Sequence, residues 1–320
     1  MGIGRAHGAA MLAGAAMFVL AGCGTSDTAA IDDKEAATAA LLADGGTGDD
    51  WGAIGFSYDE ARHSPLTDIN DGNVGSLGIA WFADLEDARG QEATPVVVDG
   101  TLYVSHAWSK VTAWDAAKGT RLWSYDPKVP GEKAVNACCD VVNRGVALWG
   151  DKLFVGTIDG RLVALDRTSG EEIWTQQTTD TAKPYTITGA PRVVKDMVLI
   201  GNGGAEMGVR GYVSAYHADT GKLLWRFYTT PNPEKAKDGA ASDAVFAEKA
   251  NATWSDTGEW QQSGGGGTVW DAIVYDQKLD QIIIGVGNGN PWNHGTRSNG
   301  EGDNYFLSSV VALDATTGAY

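Results

Sequence analysis

A tryptophan recurs along this chain at a fixed period, each time at the end of the same short pattern. Ala113-Trp114-Asp115 leads through Gly119 to Trp123, Ala164-Leu165-Asp166 through Gly170 to Trp174, and Ala215-Tyr216-His217 through Gly221 to Trp225. These three tryptophans are spaced by 51 residues at each step, and Ala312-Leu313-Asp314 opens a fourth copy that runs through Gly318 to the last residue, Tyr320. Trp81, in Gly78-Ile79-Ala80-Trp81, reads as a further closing aromatic. Each copy has a physical logic. An apolar strand ends at the Asp, the polar residues turn the chain, and Gly supplies the positive φ that the turn needs. The next strand carries an indole large enough to wedge between neighbouring units. Two more strand-like runs precede each copy: Thr94–Val98 with Thr101–Ser105, Val146–Trp149 with Lys152–Thr157, Val193–Val194 with Met197–Gly201, and Ala272–Tyr275 with Gln281–Val286. Four strands per repeat is the strand count of a β-propeller blade. A helical solenoid is excluded by short, β-branched, turn-bounded runs. An irregular β-sandwich leaves the regular aromatic without a reason. The expected fold is therefore all-β, a propeller of tryptophan-motif blades.

Before the repeats, the N-terminus reads as a targeting segment. Arg5 and His7 precede an apolar run, Ala9–Val19, which is too short to cross a bilayer comfortably, and the run ends in Leu20-Ala21-Gly22-Cys23. Small residues just before a cysteine resemble the lipobox of bacterial lipoproteins. That resemblance implies that residues 1–23 form a signal peptide, that Cys23 is lipidated, and that the protein is exported to the periplasmic side of a bacterial membrane. A plain secretory signal with an unrelated cysteine is the alternative. Either way the chain reaches an oxidising space in which a disulfide persists. Residues 24–49, rich in Ala, Asp, Gly and Thr, read as a flexible tether, and residues 50–320 as the propeller. The net charge of −17 argues against a nucleic-acid partner and is compatible with attraction to a basic protein. Two polar excursions, 226–267 and 289–304, interrupt the fourth unit, and loops of that length in a compact domain are functional or disordered.

Two of the three cysteines are adjacent, Cys138 and Cys139. Consecutive Cα atoms lie about 3.8 Å apart, below the roughly 4.4–6.8 Å of a relaxed disulfide. A bond between them makes a small, hard, flat ring on which something else can lie; two buried free thiols are the other reading.

These residues, taken in order, resemble the quinoprotein alcohol dehydrogenases, which use pyrroloquinoline quinone (PQQ). The resemblance covers residue 50 to the end. It is carried by Asp50-Trp51 with Tyr58 and Arg62-His63-Ser64-Pro65-Leu66, by Arg89-Gly90-Gln91-Glu92-Ala93-Thr94-Pro95, and most specifically by Cys138-Cys139-Asp140 with Asn143-Arg144-Gly145. Gly203-Gly204-Ala205-Glu206, Gly208-Val209-Arg210-Gly211, Gly264–Gly267 with Thr268-Val269-Trp270-Asp271, and Gly285-Val286-Gly287-Asn288 complete it. The family implies an eight-bladed ring, of which about half is present here, with PQQ in a central funnel. It implies a Cys138–Cys139 disulfide on one face of the quinone and Trp270 on the other. Arg144 would meet the quinone oxygens or a carboxylate, and Glu92, Thr188, Gly204 and Ala205 match other cofactor contacts. Glu206 and Asn288 match two protein ligands of the family's metal, Ca²⁺ or a lanthanide. Each has a plainer reading as well: Trp270 as a core tryptophan, Arg144 as an inter-blade ion pair, Glu92 and Thr188 as partners for the backbone, and Glu206 and Asn288 as ordinary loop residues.

In the family the metal polarises the quinone C5 carbonyl, a carboxylate takes the alcohol proton, and hydride passes to C5. The resemblance implies that this catalytic Asp lies after Tyr320, so the stretch is expected to be incomplete, inactive by itself, and without a nameable catalytic residue. It contains no Cys-x-x-Cys-His of its own. The function implied is periplasmic oxidation of a small alcohol, with electrons passed to a cytochrome c or a membrane quinone and membrane contact through the lipid alone. The competing expectation is a non-catalytic lipoprotein propeller of the outer-membrane assembly type. His294 and Arg297 lie in the second insertion, near the expected funnel mouth, and invite a gating role.

Overall fold

The computed structural model describes residues 1–2 and 33–320. The signal segment, apart from its first two residues, and the lipidation candidate Cys23 lie outside the described residues. Among the described residues no helix is long and apolar enough to cross a membrane.

The strands follow the repeats closely. Strands β1 (Val96–Val98), β2 (Thr101–Ser105), β3 (Val111–Asp115) and β4 (Arg121–Tyr125) form the first antiparallel sheet, in chain order. β5 (Ala147–Trp149), β6 (Lys152–Gly156), β7 (Arg161–Asp166) and β8 (Glu172–Gln177) form the second. β9 (Arg192–Val194), β10 (Met197–Gly201), β11 (Tyr212–His217) and β12 (Leu223–Tyr228) form the third. β13 (Ile273–Asp276), β14 (Gln281–Gly285) and β15 (Val310–Asp314) form a three-stranded fourth. The third strand of each complete sheet shifts register against the fourth at the repeat motif itself, at Ala113/Trp114, Ala164/Leu165 and Ala215/Tyr216. A bulge there increases the local twist and directs the chain into its turn.

The turn chemistry is the expected one. The Asp115 carboxylate accepts from the N–H groups of Ala117 and Lys118, Asp166 from Thr168 and Ser169, and Asp314 from Thr316 and Thr317. Gly119, Gly170, Gly221 and Gly318 follow at φ of +66° to +75°, which a side chain rarely adopts. Each also receives the indole of the preceding unit. Trp81 lies on Gly119, Trp123 on Gly170, Trp174 on Gly221 and Trp225 on Gly318. The first three indoles donate to backbone carbonyls of the turns they cover, those of Ala116, Arg167 and Ala218, at 2.9–3.1 Å. Trp81 makes this contact although it belongs to no strand of the described residues.

The core lies between facing sheets. One apolar cluster joins the first and second sheets through Val111, Ala113, Leu153 and Leu165; another joins the second and third through Phe154, Ala164, Val198 and Tyr216; the largest joins the third and fourth through Trp225, Phe227, Ile282 and Leu313. Burial between successive sheets rather than within one layer is the packing of propeller blades.

One expectation is corrected. The segment read as a flexible tether, 24–49, contains a helix, α1 (Asp33–Asp44), and α1 is docked. Its acidic first turn suits a helix N-terminus, and Ala and Leu favour the helix interior. Leu42 is 4% exposed within the cluster between the second and third sheets, and Thr38 Oγ1 accepts from the Gly150 N–H in the β5–β6 turn. Lys34 pairs with Asp151 at 2.6 Å. Beyond α1 the chain crosses the other sheets: Trp51 bridges to Val97, Glu60 pairs with Arg192, and the Gln277 side chain donates to the Ala43 carbonyl. Most of these contacts fall at the turn ends of the innermost strands. Leu42→Ala is therefore expected to lower stability by about 2–3 kcal/mol in a denaturant titration; a helix hanging free would leave the midpoint unchanged.

The two insertions are ordered. The first, which starts only after β12, contains α2 (Asp243–Glu248) and α3 (Trp260–Ser263), with Trp254 and Trp260 buried edge to face. The second contains α4 (His294–Ser298). Arg297 is spent on the loop itself, donating to the carbonyls of Pro291 and Trp292 and to Asn304 Oδ1. These bonds tie Arg297 into its own loop.

Candidate cofactor site

Four of the predicted site residues lie just before the first strand of a sheet. Glu92 precedes β1, Arg144 precedes β5, Thr188 precedes β9 and Trp270 precedes β13. Four sheets arranged as blades thus bring together residues that are far apart in sequence.

Arg144 is the centre of the cluster. Its Nη2 pairs with Glu92 Oε2 at 2.6 Å, its Nη1 donates to Thr188 Oγ1 at 2.7 Å, and its guanidinium lies over the Trp270 ring, 5.0 Å from the ring centre. A cation over an indole face is itself attractive. The backbone repeats the link, because the Arg144 N–H donates to the Thr188 carbonyl at 3.0 Å and the Thr94 N–H to the Arg144 carbonyl at 3.2 Å. Of the two readings of Arg144, the ion pair is present, and it stands beside an exposed aromatic face. Trp270 is 45% exposed, so it is not a core tryptophan.

The Trp270 backbone is brought in by glycines. Gly264–Gly267 all lie at positive φ, between +65° and +78°, and Gly266 bridges both Arg210 and Gly289. Four left-handed residues in succession are open only to glycine at low cost. At the far end, a Cβ on Gly189 would run into the Trp270 carbonyl, so that glycine, which follows Thr188, sets how near the indole can come. Sequence reasoning did not single out Gly189.

Cys138 and Cys139 are exposed, and the structure joins their sulfurs across Cα atoms 3.8 Å apart. The reading as buried free thiols does not describe them. Asp140 follows at φ +73°. Its Oδ1 pairs with Arg89 Nη2, and its Oδ2 accepts from Arg89 Nε and the Gly90 N–H, both at 3.1 Å. The Arg89 guanidinium, helped by the Gly90 and Val141 N–H groups, holds the Asp140 carboxyl down to about 2, so it is ionised throughout the physiological range.

Glu206 sits in a short 3-10 turn, Ala205–Met207, between Gly204 and Gly208, both at positive φ. Ala205 is buried, and a Cβ on Gly204 would run into the Pro184 carbonyl. Asn288 follows β14, and its carbonyl accepts from the Gly267 N–H at 2.9 Å. The two side chains meet: Asn288 Nδ2 donates to Glu206 Oε1 at 3.4 Å. A half-turn of the amide would place two hard oxygen donors side by side, which is the chemistry a cation such as Ca²⁺ takes. Among the described residues no group of three His, Cys, Asp or Glu side chains could hold a metal, so further donors would have to come from a ligand or from elsewhere. A flat aromatic face, a guanidinium with a hydroxyl and a carboxylate around it, and a two-oxygen corner fit a planar, anionic cofactor with a hard cation at its edge.

The comparisons point the same way. The family described as "PQQ: Glucose/ethanol/alcohol dehydrogenase, beta-propeller domain" matches residues 51–320. The chain is 53% identical over 298 residues to "Alcohol dehydrogenase (quinone), dehydrogenase subunit" of Gluconobacter oxydans, covering 91% of this chain and 39% of that protein. It is 56% identical over 280 residues to "Quinohemoprotein alcohol dehydrogenase ADH IIB" of Pseudomonas putida, covering 88% and 40%. Among solved structures, the quinohemoprotein alcohol dehydrogenase ADHIIG from Pseudomonas putida HK5 superposes with a TM-score of 0.83 at 50% identity, over 88% of this chain and 40% of that one. The chain thus spans about two-fifths of the length of these relatives.

Proposed function

Since this chain belongs to the PQQ-dependent alcohol dehydrogenase β-propeller family, we propose that it carries the cofactor-holding blades of a PQQ- and metal-dependent enzyme that oxidises a small alcohol. The observation that carries the reading is the grouping of the Arg144–Thr188–Glu92 network against an exposed indole. A propeller that served only as a scaffold would have no use for such a cradle, nor for an exposed pair of joined sulfurs.

When bound, PQQ supplies the two-electron acceptor that alcohol oxidation requires. This chain's residues bind and orient it. The Trp270 indole offers one flat face and the Cys138–Cys139 disulfide the other. Arg144, fixed by Thr188 and Glu92, presents a fork of donors to a carboxylate or quinone oxygen. Gly204 and Ala205 let the backbone approach closely. Glu206 and Asn288 hold Ca²⁺, or a lanthanide, at the cofactor's edge. The protein is exported, anchored at Cys23 on the periplasmic side, and passes electrons to a cytochrome c or a membrane quinone; the relatives' names, "quinone" and "quinohemoprotein", suit both acceptors. Nucleic acid is no partner of a surface with this charge.

Titrating the chain with PQQ, followed by quenching of tryptophan emission, tests this. Binding is expected to tighten about tenfold or more when Ca²⁺ is added, and Glu206→Gln is expected to abolish that gain while leaving binding in EDTA unchanged. La³⁺ in place of Ca²⁺ separates the two metals. PQQ binding equal with and without cation, in wild type and variant alike, would remove the metal from the reading; no binding at all would remove the cofactor.

A further inference from the structure

The two sulfurs need something to aim them. Cys138 and Cys139 lie in the connection between β4 and β5, after a 3-10 turn at Gly131–Asn136, and no named strand includes them. They are exposed, and the bridge at the ring itself joins Cys138 to Asp140. A flat ring on such a loop offers a face of definite direction only if a neighbour fixes its tilt. We propose that Asp140 is the positioning residue for this ring: through Arg89 and Gly90 it sets the plane of the two sulfurs relative to Arg144. This rests on the cofactor reading above and adds a role for a residue that touches no cofactor.

The connection runs along one short span of chain. At one end, Arg89 and the Gly90 N–H hold both oxygens of Asp140. Two residues beyond Gly90, Glu92 holds Arg144 at 2.6 Å. The span from 89 to 92 is thus a bracket with the sulfur ring at one end and the guanidinium at the other. On the far side, the Trp108 N–H donates to the Val141 carbonyl at 2.8 Å, and the Arg89 guanidinium lies 6.0 Å from the Trp108 ring centre. Asp140 takes the left-handed conformation that Asp and Asn tolerate better than other residues. Asp140→Asn therefore keeps size and backbone while removing the charge and turning one of the two acceptor oxygens into a donor that faces Arg89 or the Gly90 N–H, so it breaks the clamp without reshaping the loop.

In the whole chain, Asp140→Asn and Arg89→Gln are each expected to weaken PQQ binding about tenfold, equivalent to about 1.4 kcal/mol. The absorption band of bound PQQ is expected to shift in both, because the quinone loses a fixed neighbour on one face. The thermal midpoint is expected to stay within about 2 °C of wild type, since an exposed ion pair contributes little to stability. The double variant is expected to bind no more weakly than either single one, the mark of two residues acting as one device. Wild-type affinity in Asp140→Asn, affinity loss that tracks a fall in the thermal midpoint, or additive losses in the double variant would each overturn the proposal. Failure of the wild-type chain to bind PQQ would instead overturn the cofactor reading beneath it, so the two failures are distinguishable.

Discussion

Arg144→Met is expected to weaken PQQ binding by about a hundredfold, the largest loss from any single change in the site. A hydrogen bond to a charged group contributes about 1.5–3 kcal/mol, so losing a two-pronged contact removes roughly 3 kcal/mol. The guanidinium's geometry is prepared before any ligand arrives. Its side chain is only 17% exposed, and Glu92 and Thr188 hold it from two sides. Little ordering cost remains at binding, so the loss should approach the full value. Arg144→Lys should recover only a small part, because an ammonium cannot hold Glu92, Thr188 and a ligand oxygen in one plane. Equilibrium dialysis of the variants against PQQ measures both losses. Affinity within threefold of wild type in Arg144→Met would make the guanidinium a purely structural ion pair.

Trp225→Ala is expected to cost about 3–5 kcal/mol of folding stability. The side chain is 7% exposed in the largest apolar cluster and covers Gly318 across the junction between the third and fourth sheets. Nothing local can fill the space, since the wedge lies between two sheets rather than within one. A finer comparison follows from hydrogen bonding. Trp174 Nε1 donates to the Ala218 carbonyl at 3.0 Å, whereas Trp225 Nε1 is buried with no partner among the described residues. Trp174→Phe should therefore lose about 1 kcal/mol more than its change in size explains, while Trp225→Phe should lose nothing on that account. Urea titrations of the three variants measure this. Equal penalties for the two phenylalanine variants would show that the indole N–H contributes nothing at either position.

Blade architecture was legible because its signals are local and repeated. Asp115, Gly119 and Trp123 lie within nine residues and carry their own turn chemistry, bulge and wedge, and the next copies repeat them. The site was legible for a different reason. Arg144, Trp270, Glu206 and Asn288 stand in short motifs whose order resembles a known family, and the structure brings Arg144 to Trp270 and Glu206 to Asn288. What escaped was long-range pairing, because a motif does not name the residue that its members bond. Arg89 and Asp140 are 51 residues apart, and nothing in either sequence neighbourhood marks the partner. Gly189 is defined by a carbonyl far along the chain. α1 was taken for a tether because Ala, Thr and Asp suit linkers, and its buried stripe is little more than Thr38 and Leu42. Tertiary contact with the β5–β6 turn, not periodicity, makes that helix part of the domain.

A crystal structure of the chain with PQQ and Ca²⁺ tests the central claim most directly. The account predicts density for a flat tricyclic molecule between the sulfurs of Cys138 and Cys139 and the indole of Trp270, with Arg144 at its edge and Glu206 and Asn288 turned to one cation. Density for PQQ anywhere else, or an empty cleft at saturating ligand, would contradict it.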